Sequence, residues 1–244
     1  MSLGSQNKFQ LRAGSMAQGQ AHDAHIDIGL RDYMLKVYNY MCIGLAMTGA
    51  VAFAASTSME LMQAIHGTGL KWIIMLAPLG FVFFLSARIN AMSASTAQTV
   101  FWVYSALMGL SLSYIFLAYT GTTITRVFFI TAATFAGMSL YGYTTKRDLS
   151  GMGSFLFMGL IGIIIASIVN IFLASSALHF AISVIGVLVF VGLTAYDTQS
   201  IKSMYMQSDT GEVHQKKAIM GALRLYLDFI NLFIMLLSIF GNRE

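Results

Sequence analysis

The sequence predicts an all-α protein, a bundle of seven transmembrane helices, from three observations. Hydrophobic residues fill 57% of its 244 positions and charged residues only 10%, where a soluble domain carries about 25% charged residues. The apolar share is about 139 residues, close to the ~140 that seven spans of ~20 consume. The apolar residues also fall in long runs separated by short polar breaks.

Taken in order, residues 1–31 read as a disordered, polar cytosolic arm and residues 32–244 as the transmembrane domain. The arm lacks the apolar run of roughly 7–15 residues found in a secretory signal, so the first hydrophobic segment is expected to stay in the mature protein. The predicted spans are residues 37–55, 72–87, 97–119, 127–143, 155–174, 180–196 and about 219–240. All read as helices, because an open array of strands cannot satisfy its backbone in lipid. The sole proline, Pro78, lies inside the second span and removes a backbone hydrogen bond, which predicts a kink. In the third span Ser105, Gly109 and Ser113 recur at four-residue spacing, a small-residue stripe for close helix packing. The break at 201–218 carries Lys202, Asp209, Glu212, His214, Lys216 and Lys217 and reads as a solvated cytosolic loop.

Seven crossings put the chain ends on opposite sides. With the N-terminus inside, Lys8, Arg12, Arg31, Lys36, Arg88, Lys146, Arg147, Lys202, Lys216, Lys217 and Arg224 gather at the cytosolic face. Only Lys71, Arg126 and Arg243 remain outside. That bias selects a cytoplasmic N-terminus and an external C-terminus. The formal charge of +4 is therefore a topology signal, and no nucleic-acid partner is expected.

Several chemistries are excluded or disfavoured. A single cysteine, Cys42, permits neither an intrachain bridge nor a cysteine metal cluster. The Gly109-Leu110-Ser111 run suits an intramembrane serine nucleophile, but the one histidine near a span, His179, lies toward the outer side. No predicted span interior holds the Schiff-base lysine that a retinal protein needs. His22 and His25 lie three apart in the arm without further ligands. Neither a P-loop nor an HExxH motif occurs. No catalytic residues and no cofactor are expected.

Charges at membrane depth are costly and tend to be functional. Of ten acids, Asp23, Asp27, Asp32, Glu60, Asp148, Asp209, Glu212 and Glu244 lie in tails or breaks. Asp197 closes the sixth span and Asp228 sits within the seventh. One helix descends to the cytosol and the next rises from it, so both carboxylates fall in the inner half of the bundle. Between Lys71 and Arg88 lie 16 uncharged residues, about 24 Å of helix and short of a ~30 Å hydrocarbon core. The second helix is therefore expected to continue through Arg88 toward Asn90 or Met92, bringing its guanidinium to the depth of the acids. Arg224, one turn before Asp228, competes for the same role.

Two carboxylates within hydrogen-bond reach share a proton and titrate as a coupled unit. An arginine on either one favours ionisation and clamps the helices, and protonation loosens the clamp. Calcium competes for the same hard oxygens, so Asp197 and Asp228 are also candidate transient calcium ligands. A plainer reading leaves Asp197 as a helix cap near the headgroups and Asp228 paired with Arg224. Asn170 and Asn231 read as interhelical hydrogen-bond donors.

Four segments carry a resemblance: Tyr104-Ser105-Ala106-Leu107 with Gly109-Leu110-Ser111, residues 138–151 (MSLYGYTTKRDLSG), residues 190–199 (FVGLTAYDTQ) and residues 225–233 (LYLDFINLF). Over about residues 32–243 the chain resembles the Bax inhibitor-1 family, also called the transmembrane Bax inhibitor motif family, and in particular its bacterial inner-membrane branch. The resemblance implies six helices around a central seventh and a pH-sensitive calcium leak governed by a diaspartyl unit. It maps those acids onto Asp197 and Asp228 and the gating arginine onto Arg88. Arg224 is a departure from the family pattern, and the second span lacks any carboxylate. Some bacterial relatives modulate a membrane-anchored ATP-dependent protease, which leaves a non-conducting modulator as an alternative, and a proton-coupled cation exchanger as another. The expected partners are thus the lipid bilayer, calcium, protons and that protease.

Overall fold

In the computed structural model, which describes residues 3–241 and side chains from Ile28 to Gly241, nine α-helices follow one another. They are α1 (Leu3–Ser56), α2 (Met59–His66), α3 (Leu70–Arg88), α4 (Ala94–Leu112), α5 (Ile115–Ala118), α6 (Gly121–Thr144), α7 (Ser150–Leu173), α8 (Ser176–Ser203) and α9 (Gly211–Phe240). The arm expected over residues 1–31 lies largely outside the described side chains.

Helix starts follow from local chemistry. Ser58, Ser93, Thr120, Ser175 and Thr210 each sit in extended backbone and accept a hydrogen bond from the N–H three residues on, the usual Ser/Thr cap for an otherwise unpaired donor. Seven helical segments are long and apolar enough to cross a membrane. Their ends run past the apolar stretches, because helical hydrogen bonding continues into polar sequence until a cap or turn stops it.

Two regions differ from expectation, the third span and residues 201–218, while the second span continues past Arg88 as expected. The third span is broken: α4 stops at Leu112, where the Ser113 hydroxyl donates to Leu110 O at 2.7 Å and a short α5 follows, a side-chain bond that competes with the helical ladder. The 201–218 break is mostly helix, with only residues 204–210 outside α8 and α9. Four of its charges are paired: Lys217 donates to Asp209 at 2.6 Å and to Met204 O at 3.0 Å, and Lys216 meets Glu212 at 3.3 Å. α3 runs without interruption through Pro78 and, with the 3₁₀ turn Ile89–Ala91, extends the second span to Ala91.

α9 is the axis. It packs on α8, α1, α6 and α4, whereas α3 packs chiefly on α4 and α7 on α8. The expected six-around-one arrangement is thus an inner group of four about α9, with α3 and α7 outside it. Lipid tails are as apolar as leucine, so packing and polar bonds hold such a bundle together. Thr48 of α1 donates to Ser105 O of α4 at 2.8 Å and lies 2.6 Å from the Tyr226 hydroxyl of α9. Ser139 of α6 joins Tyr38 of α1 at 2.6 Å and Thr198 of α8 at 3.0 Å. Within the small-residue stripe, a Cβ on Gly109 would lie 2.7 Å from Thr48 O, so only glycine lets α1 come this close. Ser113, the last of the stripe, faces His66 of α2, with Nε2 and Oγ 2.9 Å apart.

Ala174, between α7 and α8, is left-handed at φ 47°, a conformation that costs a non-glycine residue about 1 kcal/mol. Asn170 stabilises the turn: its carbonyl accepts from Ala174 N at 2.8 Å and its Oδ1 from Ser175 N at 3.1 Å. Asn170 is therefore a local cap rather than an interhelical donor. Replacing Ala174 with glycine is expected to stabilise the fold by about 1 kcal/mol, read as a higher unfolding midpoint in detergent.

Candidate functional site

The site is built at the α8–α9 pair. α8 and α9 run antiparallel, and a Cβ on Gly221 of α9 would lie 2.9 Å from Ile201 Cγ2 of α8. From that contact Asp228 is about 10.5 Å further along α9, and Asp197 about 6 Å further along α8, at 1.5 Å per residue. Side chains in a helix tilt toward its N-terminus. In an antiparallel pair Asp228 and Asp197 therefore lean toward one another, which closes the remaining offset. Their carboxylates come within hydrogen-bonding range. Asp228 is only 4% exposed and its Oδ2 has no protein partner, while Asp197 is half-buried.

Both acids line a cavity of about 690 Å³ between α7, α8 and α9, together with Ser154, Tyr196, Arg224 and Asn231. Arg224 exerts its charge on both carboxylates without contacting either. The ion pairs among the described residues are Asp209 with Lys217 and His214, and Glu212 with Lys216. Arg88 lies elsewhere: it is exposed at the end of α3, whose main contact is α4, and does not line this cavity. Continuation of the second helix sets the depth of Arg88, but depth does not choose a partner across the bundle. Arg224 lies one helical turn from Asp228 and on the same side of α9.

Asn231, on that side of α9 too, donates through Nδ2 to Leu227 O of its own helix at 2.8 Å, not across helices. Tyr196, Ser154 and Gln199 carry no charge, and the sequence assigns none of them a separate role, although Tyr196 and Gln199 lie within the 190–199 segment. Gln199 ties two of the quoted segments together: its Nε2 donates to Arg147 O and its Oε1 accepts from Leu149 N, both at 2.8 Å. In that α6–α7 connection the Ser150 hydroxyl and its N–H, 2.9 Å from Oδ1, hold Asp148 below the ordinary value of 3.8.

His66 meets Ser113 rather than Ser111. Burial lowers this histidine below its ordinary 6.5, and the Ser113 hydroxyl is committed to Leu110 O. The contact serves packing. Among the described residues, no three His, Cys, Asp or Glu side chains gather as a metal site, so the acid pair offers a cation four carboxylate oxygens.

Seven apolar spans, the last of them axial, with an acid pair inside the bundle, define an integral membrane protein. The chain belongs to the Bax inhibitor-1 family: the family described as "Inhibitor of apoptosis-promoting Bax1" matches residues 30–244. It is 55% identical over 218 residues to protein RP147 of Rickettsia prowazekii, covering 89% of this chain and 92% of that one. It is 53% identical over 219 residues to inner membrane protein YbhL of Escherichia coli K12, covering 88% and 94%. A Caulobacter vibrioides protein is 46% identical over 233 residues, covering 91% and 93%.

Proposed function

We propose that this protein is a pH-sensitive calcium leak of a bacterial inner membrane, its N-terminus in the cytosol, gated by the pair Asp197 and Asp228. One observation carries the reading: a carboxylate 4% exposed faces a second carboxylate inside a cavity, with an arginine acting on both. Calcium takes about six to eight oxygen ligands, so the few here suit transient passage rather than storage. The name of YbhL and the excess of Lys and Arg at one end support the location and orientation.

The test is efflux from calcium-loaded liposomes across a pH series. The expected result is protein-dependent efflux that changes with pH, downhill and indifferent to an imposed proton gradient. Efflux no faster than from protein-free liposomes overturns the leak and leaves the non-conducting modulator. Deleting residues 1–27 and scoring co-purification of the membrane-anchored protease then tests that role. Strict dependence on a proton gradient identifies an exchanger instead.

The same assay separates the two arginines. Arg224→Gln is expected to move the pH midpoint of efflux upward by roughly one unit, because loss of a nearby positive charge makes a carboxyl proton harder to lose. Arg88→Gln is expected to leave the midpoint in place. A shift produced by Arg88→Gln alone restores Arg88 as the gating partner.

A further inference from the structure

A second cavity, about 1030 Å³, lies between α1 and α6. It is the larger of the two and holds neither aspartate. Its walls run from Arg31 to Ala50 on α1, about 28 Å at 1.5 Å per residue, close to the ~30 Å hydrocarbon thickness of a bilayer. Phe135 and Ala136 of α6 form the facing wall, and Phe229 of the axial helix reaches it from behind. The hydroxyls of Tyr38 and Ser139, in its lining, are bonded to one another at 2.6 Å. The groove is therefore apolar and its two central hydroxyls are already satisfied, which suits a hydrocarbon chain better than water.

One charged residue, Arg31, lines this groove, at one end and exposed. Tyr143 of α6 also lines it, and Lys202 of α8 donates to Tyr143 O at 2.9 Å and lies 5.0 Å from its ring. Lys146 and Arg147 follow Tyr143 after Thr144 and Thr145. The acids in these stretches are Asp32 and Asp148, both exposed and neither in the lining. A groove apolar along its length and cationic at one mouth has the polarity of an anionic amphiphile. Guanidinium binds phosphate in fixed, bidentate geometry, and basic pockets between membrane helices hold anionic headgroups.

We infer that the α1–α6 groove is a binding site for one anionic phospholipid, its phosphate on Arg31 and an acyl chain laid between the two helices. The inference is independent of the calcium reading, since no groove residue belongs to the acid pair's cavity.

Native mass spectrometry of the full-length protein tests it, with delipidated protein offered phosphatidylglycerol or phosphatidylcholine of identical chains. Wild type is expected to retain phosphatidylglycerol at least roughly fivefold better, in line with a charge-assisted contact. Arg31→Gln, at an exposed position, is expected to bring the two lipids to parity. Ala46→Phe, which adds a ring at an exposed groove position, is expected to reduce retention of both. Equal retention of the two lipids by wild type, or a preference that survives Arg31→Gln, overturns the inference. So does a dimer mass that Ala46→Phe abolishes, since a second copy would then be the occupant.

Discussion

Asp228→Asn is expected to flatten the pH dependence of calcium efflux and to leave a folded protein. Asparagine keeps the shape of the side chain and a donor toward Asp197, but it does not titrate, so Asp197 is left as a single acid and the coupled titration of the pair is lost. Asp228 is 4% exposed and its Oδ2 lacks a protein partner, so removing its charge does not unmake any ion pair. A lost charged ligand is worth about 1.5–3 kcal/mol, which corresponds to roughly a 10- to 100-fold loss of calcium affinity. In wild type, protons and calcium compete for the same oxygens. Calcium affinity is therefore expected to fall as pH falls, and that slope is expected to flatten in Asp228→Asn. Superimposable pH series for wild type, Asp228→Asn and Asp197→Asn would show that the pair senses nothing.

Gly142→Val is expected to be the most damaging substitution outside the acid pair. A Cβ on Gly142 of α6 would run into the carbonyl, carbonyl carbon and Cα of Ala195 on α8. Backbone cannot rotate away as a side chain can, so the two helices must separate. Overpacking a close contact costs about 1–3 kcal/mol, and the shift would strain the Ser139–Thr198 bond of 3.0 Å nearby. Ala195 is two residues from Asp197, so the acid pair is expected to be disturbed as well. Gly137→Val is the control on the same helix, because a Cβ there meets nothing within 4 Å. Comparable unfolding midpoints for the two variants in detergent would refute the close-contact account.

The apolar runs made the spans legible, since length and hydropathy are local properties and a bilayer admits few backbone solutions. Asp197 and Asp228 were legible because charges are scarce in such runs. The helix starts were not, because the apolar runs at 97, 127, 180 and about 219 begin inside helices that Ser93, Thr120, Ser175 and Thr210 start in polar sequence. Less visible was the helical nature of residues 201–218, where charges that look solvated are paired within a helix and across a short turn. The length argument brought Arg88 to a plausible depth, yet depth is one coordinate of three. Tyr196 and Gln199 were invisible as lining and tie residues, because nothing in an uncharged side chain announces which helix it will meet.

By itself the sequence determined that the chain is all-helical, how many times it can cross a membrane, and which carboxylates must lie among apolar residues. Composition and period are properties of a segment and need no partner. Only the tertiary structure decided that α9 is the axis, that Arg224 and not Arg88 shares the cavity of the acids, and that a groove stays open between α1 and α6. Those outcomes depend on how the helices turn about their own axes as they pack, which close contacts such as Gly142 on Ala195 and Gly109 on Thr48 set.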